Sequence, residues 1–270
     1  KSNTEFNTSD YVVDLVWRAT LSAKTTAKTT AQFIDYNQDQ QQQLNSMYYD
    51  PFGQNTANNG FATSSNQRTT IGLGQFDLNH NSATASWDFG AKATQVDTKT
   101  NWSLTPESNT ALGPVERFDY KEQVIAGYAR MERSWGQWSL ASGLRYENTQ
   151  IERFSTQEAL EDLRYENWFP EVTIAQELPN EQSWGVGYLK KIQRPRYQAL
   201  NPFRYYLNES NFNQGNPNLV PAIEEKLNVF YTLGQAWYFE AYYQQIDRAL
   251  EIISFQDNEN QIYRQTDVNI

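Results

Sequence analysis

The chain has no cysteine and a single histidine, His80. Without thiols there is neither a disulfide scaffold nor a Cys-based metal site. With one imidazole, a zinc centre and a Cys/His or Ser/His nucleophile pair both lack their parts. Basic residues are also scarce. Against 32 Asp and Glu stand 22 Lys and Arg, a formal net charge of -10, which leaves no basic stripe to displace counterions from phosphates and argues against a nucleic-acid partner. Nowhere do about 18 apolar residues run together, so no helix can span a membrane. A spanning strand needs only about 9 to 11 residues with every second one apolar, a signal that hydropathy averaging erases.

What the sequence has in quantity is aromatic rings: 17 Tyr, 14 Phe and 8 Trp in 270 residues. Hydrophobic residues are only 39% and mean hydropathy is -0.77. Disorder accounts for the low hydropathy but not for the rings. A wall with lipid on one face and water on the other alternates apolar with polar residues and gathers Trp and Tyr where the two media meet. The period-two pattern predicts about eleven strands, many longer than the usual globular strand. Trp138, Leu140, Ser142, Leu144 and Tyr146 alternate with Ser139, Ala141, Gly143, Arg145 and Glu147. Trp17 and its neighbours Val13, Leu15, Ala19 and Leu21 stand against Asp14 and Arg18. Trp87, Phe89, Ala91 and Ala93 stand against Asp88 and Lys92, and Trp237, Phe239, Ala241 and Tyr243 against Glu240 and Gln244. The expected lipid-facing set is therefore Trp17, Trp87, Trp138, Leu140, Leu144, Trp237 and Phe239. The expected lumen-facing set is Arg145, Glu147, Asp88, Lys92 and Glu240, together with Asp14 and Arg18.

The links between strands carry a second signal. Short ones, at about Ser22 to Thr26, His80 to Ala83, Ser134 to Gln137, Leu178 to Gln182 and Leu233 to Ala236, alternate with long ones. The long ones are Asp39 to Gln67, Thr105 to Glu116, Ser155 to Leu163, Arg194 to Pro221 and Gln256 to Asn260. An up-and-down meander in an outer membrane places short turns on the periplasmic side and long loops outside. A sandwich has no reason to keep that order. The expected fold is all-β: an antiparallel up-and-down transmembrane β-barrel, seen in part, with residues 1-270 forming one partial barrel domain.

Within that frame, QRPRYQALNPFRYYLNESNFNQGNPNL at Gln193 to Leu219 resembles the RPSYQxLNPF...GNPxLxP stretch of the Bacteroidetes-type TonB-dependent receptors and related outer-membrane β-barrels. The matching positions include Arg194, Pro195, Tyr197, Gln198, Leu200, Asn201, Pro202, Phe203, Gly215, Asn216, Pro217, Leu219 and Pro221. Upstream, Trp135 to Leu140 with Gly143 to Glu147 is similar to that family's WGKWSLxxGLRxE hairpin. The resemblance covers roughly residues 120 to 250 and implies a barrel of about 22 strands. It also implies a plug domain and a TonB box that this chain does not contain, and a TonB-type energy transducer as partner. The function it implies is uptake of a scarce extracellular ligand, a metal chelate, a carbohydrate or a peptide, with outer-membrane lipid around the barrel and a surface lipoprotein as a further candidate partner. The prolines read as keeping Arg194 to Pro221 out of the sheet. Gly215 reads as a positive-φ reversal, and Phe203, Tyr205, Tyr206 and Phe212 as packing at the barrel rim.

Chemistry of other kinds is thin. His80 reads as a solvated turn residue, and Gly72, Gly74, Gly90, Gly127 and Gly143 as strand glycines rather than a phosphate loop. Neighbouring acids such as Glu224-Glu225 and Glu161-Asp162 read as solvated, since adjacent strand residues face opposite ways. Asp35, Asp39 and Asp257 are loop carboxylates able to bind calcium. No catalytic set and no cofactor site emerges, so the chain reads as a non-enzyme. Two alternatives stay open: an outer-membrane barrel for adhesion, assembly or surface-protein export rather than transport, and a soluble all-β carbohydrate-binding module.

Overall fold

The computed structural model describes residues 2–106 and 115–270. Ten strands form one antiparallel sheet in the order β1-β2-β3-β4-β5-β6-β7-β8-β11-β12. They are β1 (Ser2–Ser22), β2 (Thr25–Tyr49), β3 (Asn55–Asn81), β4 (Ala85–Pro106), β5 (Glu116–Trp135), β6 (Trp138–Ser155), β7 (Leu163–Leu178), β8 (Gln182–Gln193), β11 (Ala222–Leu233) and β12 (Trp237–Asp247). Each strand follows its predecessor in sequence except at β8, from which a strap leaves and returns so that Ala222 pairs with Gln193. The strap carries α1 (Tyr197–Leu200), β9 (Arg204–Asn208) and β10 (Asn211–Gln214). Strands β9 and β10 join a C-terminal hairpin, β13 (Leu250–Asp257) and β14 (Ile262–Asn269), in a second sheet of order β13-β14-β10-β9. The expected eleven wall strands are thus ten, because β13 and β14 leave the meander: β14 runs parallel to β10 instead of extending the wall.

All five short turns stand where the sequence put them, and all lie at one end of the wall. Left-handed backbone closes three of them, at Gly136 (φ 56°), Gly234 (φ 59°) and the Asn180-Glu181 pair (φ 61° and 56°). Glycine and asparagine tolerate that region best. His80 is not a free turn residue. It lies within β3, one residue before its end, and its Nδ1 lies 2.9 Å from Thr25 Oγ1 on β2.

Asp39 to Gln67 is not the polar loop its composition suggests: β2 and β3 stay in register through it, from Asp39 opposite Asn66 to Tyr48 opposite Ala57. Only Asp50 to Gln54 turn, with the Asp50 carboxylate accepting the Phe52 and Gln54 amides and Gly53 at φ 81°. Main-chain pairing needs no apolar side chain, so a ribbon with water on both faces can be polar throughout. Gln256 to Asn260 closes tightly inside the β13-β14 hairpin, with the Asp257 carboxylate accepting the Glu259 and Asn260 amides. Of the expected Thr105 to Glu116 loop, residues 107–114 lie outside the described residues.

The wall has two faces of different chemistry. Its outer face carries Trp135, Trp138 and Trp184 near the short turns, with Trp138 and Trp184 edge to face at 5.8 Å. Eight residues along β6, Tyr146 packs on Trp168 at 4.8 Å. At the usual rise these two aromatic levels are about 27 Å apart along the strand, comparable to the apolar band of an outer-membrane barrel even after strand tilt shortens it. Between them stand Leu140 and Leu144, the latter 45% exposed. Past that level the alternation inverts. On β4 the apolar residues are Trp87, Phe89, Ala91 and Ala93 on the outer face, then Val96 and Trp102 on the inner one. On β5 the outer Ile125, Ala129 and Met131 give way to inner Phe118 and Tyr120, with Asp119 and Lys121 now outside. Backbone and register continue unbroken; only the face that is apolar changes.

Candidate functional site

The inner face is built by residues that pair across the strands in register: Lys92 opposite Ala126, Ala126 opposite Glu147, and Arg145 opposite Phe169. This places Asp14, Arg18, Asp88, Lys92, Arg145, Glu147 and Glu240 on one face. Trp17, Trp87, Trp138, Leu140, Leu144, Trp237 and Phe239 fall on the other. Across β3 to β8 the first face lines a cavity of about 850 Å³ that includes Asp88, Lys92, Arg145 and Glu147. The predicted residues are held by near neighbours. Asn79 Nδ2 donates to Asp88 at 2.7 Å, Asn228 Nδ2 donates to Glu240 at 3.0 Å, and Gln32 Nε2 donates to Asp14 at 2.7 Å. Glu240 is distant from the cavity lining, two strands beyond β8.

A charged chain crosses the cavity's upper edge. Arg145 Nε lies 3.0 Å from Glu147 Oε1, and the Arg145 guanidinium sits over the Phe169 ring at 5.0 Å. Arg194 Nη2 donates to Glu147 Oε2 at 2.7 Å and to Thr149 Oγ1 at 3.1 Å. Its Nε lies 3.0 Å from Glu122 Oε1, and the Tyr120 hydroxyl donates to the other Glu122 oxygen at 2.8 Å. Because Glu147 is only 7% exposed, removing Arg194 would leave it with Arg145 alone and would take from Glu122 its cation, a costlier change than losing a surface pair. Glu122 carries no signal in the sequence. It sits on the same strand face as Tyr120, Val124 and Ala126, where alternation alone gives no sign of a charge.

Above that chain the strap covers the inner face. Phe203 and Asn201 have no exposed surface, and Leu200 and Leu219 are 3% and 2% exposed. Phe203 stacks on Trp102 at 5.7 Å, and Tyr197 packs against Phe118 and Tyr120 at 5.8 and 6.3 Å. Burying one such side chain contributes roughly 1.5 to 3 kcal/mol. These rings pack on the inner face rather than on the rim as expected. Tyr206 does the same beside the β2-β3 ribbon, packing on Phe61 at 4.6 Å while the carbonyl of Tyr206 accepts Gln42 Nε2 at 2.6 Å. Burial holds the Tyr197 phenol above its usual range, and it shares a 2.7 Å hydrogen bond with Thr100.

The motif's polar residues fold the strap onto itself. Asn201 Oδ1 accepts the Phe203 amide at 3.1 Å and its Nδ2 donates to Tyr205 at 3.0 Å. Asn216 Oδ1 accepts the Asn218 amide at 3.0 Å, and Asn216 Nδ2 donates to the Asp267 carbonyl at 3.3 Å. Arg153 Nη1 donates to the Pro217 carbonyl at 2.5 Å. Pro195, Pro202 and Pro217 interrupt regular pairing, which keeps the strap out of the wall. Gly215 does not take a positive φ. It is needed because a Cβ there would stand 2.3 Å from the Asn201 carbonyl oxygen, with two further backbone oxygens at 2.8 Å. Gly90 and Gly143 admit the Tyr128 ring and the Glu171 side chain in the same way, whereas Gly72, Gly74 and Gly127 face open space.

Among the described residues no group of three or more His, Cys, Asp or Glu could hold a metal ion. Asp35 is taken up by Arg68, Asp39 accepts from Asn66, and Asp257 closes its own turn. Glu224 and Glu225 pair with Lys191 and Lys190 on opposite faces. The Glu161 carbonyl accepts from Arg153, and the Asp162 carboxylate accepts the Arg153 amide.

A ten-stranded meander with two aromatic levels outside, charge inside and a strap across its inner surface defines a segment of a bacterial outer-membrane β-barrel. The outer membrane protein beta-barrel family model matches residues 20–270, and the chain belongs to that family. No curated protein matches it. Among solved structures it is similar to the ferric-catecholate import receptor Fiu from K12 E. coli, at 13% identity and TM-score 0.65, covering 97% of this chain and 43% of that one. It is also similar to the copper transporter OprC, at 9% identity and TM-score 0.58, covering 97% and 48%. The RagAB peptide importer matches at 11% identity and TM-score 0.56, covering 99% and 33%. The likeness is one of fold, and the chain spans less than half the length of each of these structures.

Proposed function

We propose that residues 1-270 are part of the barrel domain of a Bacteroidetes-type TonB-dependent receptor that imports a scarce extracellular ligand. The carrying observation is the open wall. Ten strands present an aromatic-bounded apolar face and a charged opposite face, yet β1 and β12 each have a neighbour on one side only. Unpaired strand edges cannot stand in lipid, so further strands must close the barrel. In this reading the short turns are periplasmic, the ribbon, strap and second sheet face the cell exterior, and the charged inner face meets a plug domain. Similarity of fold to importers of unlike cargo, a ferric catecholate, copper and peptide, supports import and leaves the ligand unspecified.

The test uses the intact polypeptide from its native membrane. Its mass should be two to three times the 31.3 kDa of this chain, with a plug and TonB box, and it should retain a TonB-type transducer's periplasmic domain on a column. An intact polypeptide lacking plug and transducer binding would contradict import and favour adhesion, assembly or surface-protein export.

A further inference from the structure

The second sheet has two unlike faces. One carries Phe212, Tyr206, Phe255 and the guanidiniums of Arg204 and Arg264, which sit over Phe212 and Phe255 at 4.8 and 5.0 Å. In the other, Asn211 stands beside Tyr263 and Asn213 beside Gln265, and across the hairpin Tyr263 faces Gln256 and Gln265 faces Ser254. At the hairpin tips this amide and hydroxyl surface deepens into a pocket of about 490 Å³, whose lining includes Asn211, Gln256, Asp257, Asn258, Ile262 and Tyr263. No lysine or arginine lines it. Its one carboxylate, Asp257, is held by the Glu259 and Asn260 amides and by Asn260 Nδ2. Asn211 Oδ1 is buried and has no hydrogen-bond partner. A buried amide oxygen in that state costs roughly 1 to 3 kcal/mol unless something donates to it.

Resting on the import reading, we propose that this pocket binds a neutral polyhydroxylated ligand, an oligosaccharide segment. An anionic chelate would find no counter-charge among the lining side chains, and a cation would compete with three donors already on Asp257. Primary amides present donors and acceptors in fixed pairs, which vicinal hydroxyls match, and the Tyr263 ring, 37% exposed, offers a face for a sugar's apolar side. Asn211 lies at the floor and Gln256 at the wall, where its Nε2, which donates to Asn258 Oδ1 at 2.8 Å, can turn to a sugar hydroxyl.

The intact detergent-solubilised protein is titrated with a panel of neutral hexasaccharides (glucan, mannan, galactan and xylan), an uncharged Asn/Gln-rich peptide and a ferric catecholate. The proposal expects at least one oligosaccharide to bind, with Asn211→Ala and Gln256→Ala each weakening it about five- to tenfold while heat-modifiability of the barrel is unchanged. It is overturned if no oligosaccharide binds, if binding ignores both variants, or if the peptide or catecholate is the ligand these variants weaken. Binding in detergent needs no transducer. Absence of oligosaccharide binding at the pocket with energised uptake intact therefore overturns this inference alone, whereas pocket binding without transducer coupling leaves it standing and contradicts import.

Discussion

Two stretches of the same strands, the part between the aromatic levels and the part beyond them, use opposite faces for their apolar residues. On β6, Leu140, Leu144 and Tyr146 point outward in the first part, and Ile151 points inward in the second, 4% exposed under the strap. Backbone geometry is the same in both, so the difference lies in the medium. Lipid calls for an apolar outer face and lets the inner face stay charged. Beyond the lipid the outer face meets water, and the inner one becomes apolar because a strap lies on it. The phase of the alternation, more than its presence, marks where the membrane ends.

The strongest way to break the comparison is to unload the strap. Phe203→Ala removes a fully buried ring and should destabilise the strapped region by about 3 to 5 kcal/mol. Amide exchange of the intact protein should then show protection lost at Leu200 to Gly215 and kept between Trp138 and Tyr146. Arg194→Ala should follow, at about 1.5 to 3 kcal/mol, because Glu147 loses one of its two cations and Glu122 its ion-pair partner beneath the strap. Arg194→Ala combined with Glu122→Gln and Glu147→Gln should recover part of that loss, read by urea titration of the variants. On the lipid side, Leu144→Arg, two residues from the Tyr146 aromatic level, should cost about 1 to 2 kcal/mol of barrel stability, while Arg145→Leu one residue away should leave the outer band intact. The smallest effect belongs to Glu240→Gln. Its partner Lys226 lies 3.7 Å away and both side chains are about a third exposed, so the change should be about 0.5 kcal/mol or less.

Much of the wall was legible because period two survives on either side of the switch: Trp138 to Tyr146 and Trp237 to Tyr243 need only alternation to be placed. The β2-β3 ribbon was not, since Gln38 to Gln43 and Asn55 to Asn66 carry no apolar face and pairing through main-chain amides leaves no mark on composition. The strap was located by its prolines and its family motif. Its partners were hidden, because Trp102, Phe118 and Ile151 come from three strands and meet only when the register is known. Gly215 shows the limit of reading a glycine alone: the residue answers to carbonyls 14 to 17 positions earlier, not to its own φ.

The most direct test of the phase switch is cysteine scanning, made clean by the absence of native cysteine. Single cysteines at Leu140, Leu144, Asn148 and Gln150 of the intact polypeptide, in its native membrane, are exposed to a membrane-impermeant maleimide and then to a lipid-soluble one. The account predicts that positions 148 and 150 react with the impermeant reagent, whereas 140 and 144 react only with the lipid-soluble one. Equal reaction of all four with the impermeant maleimide would contradict it.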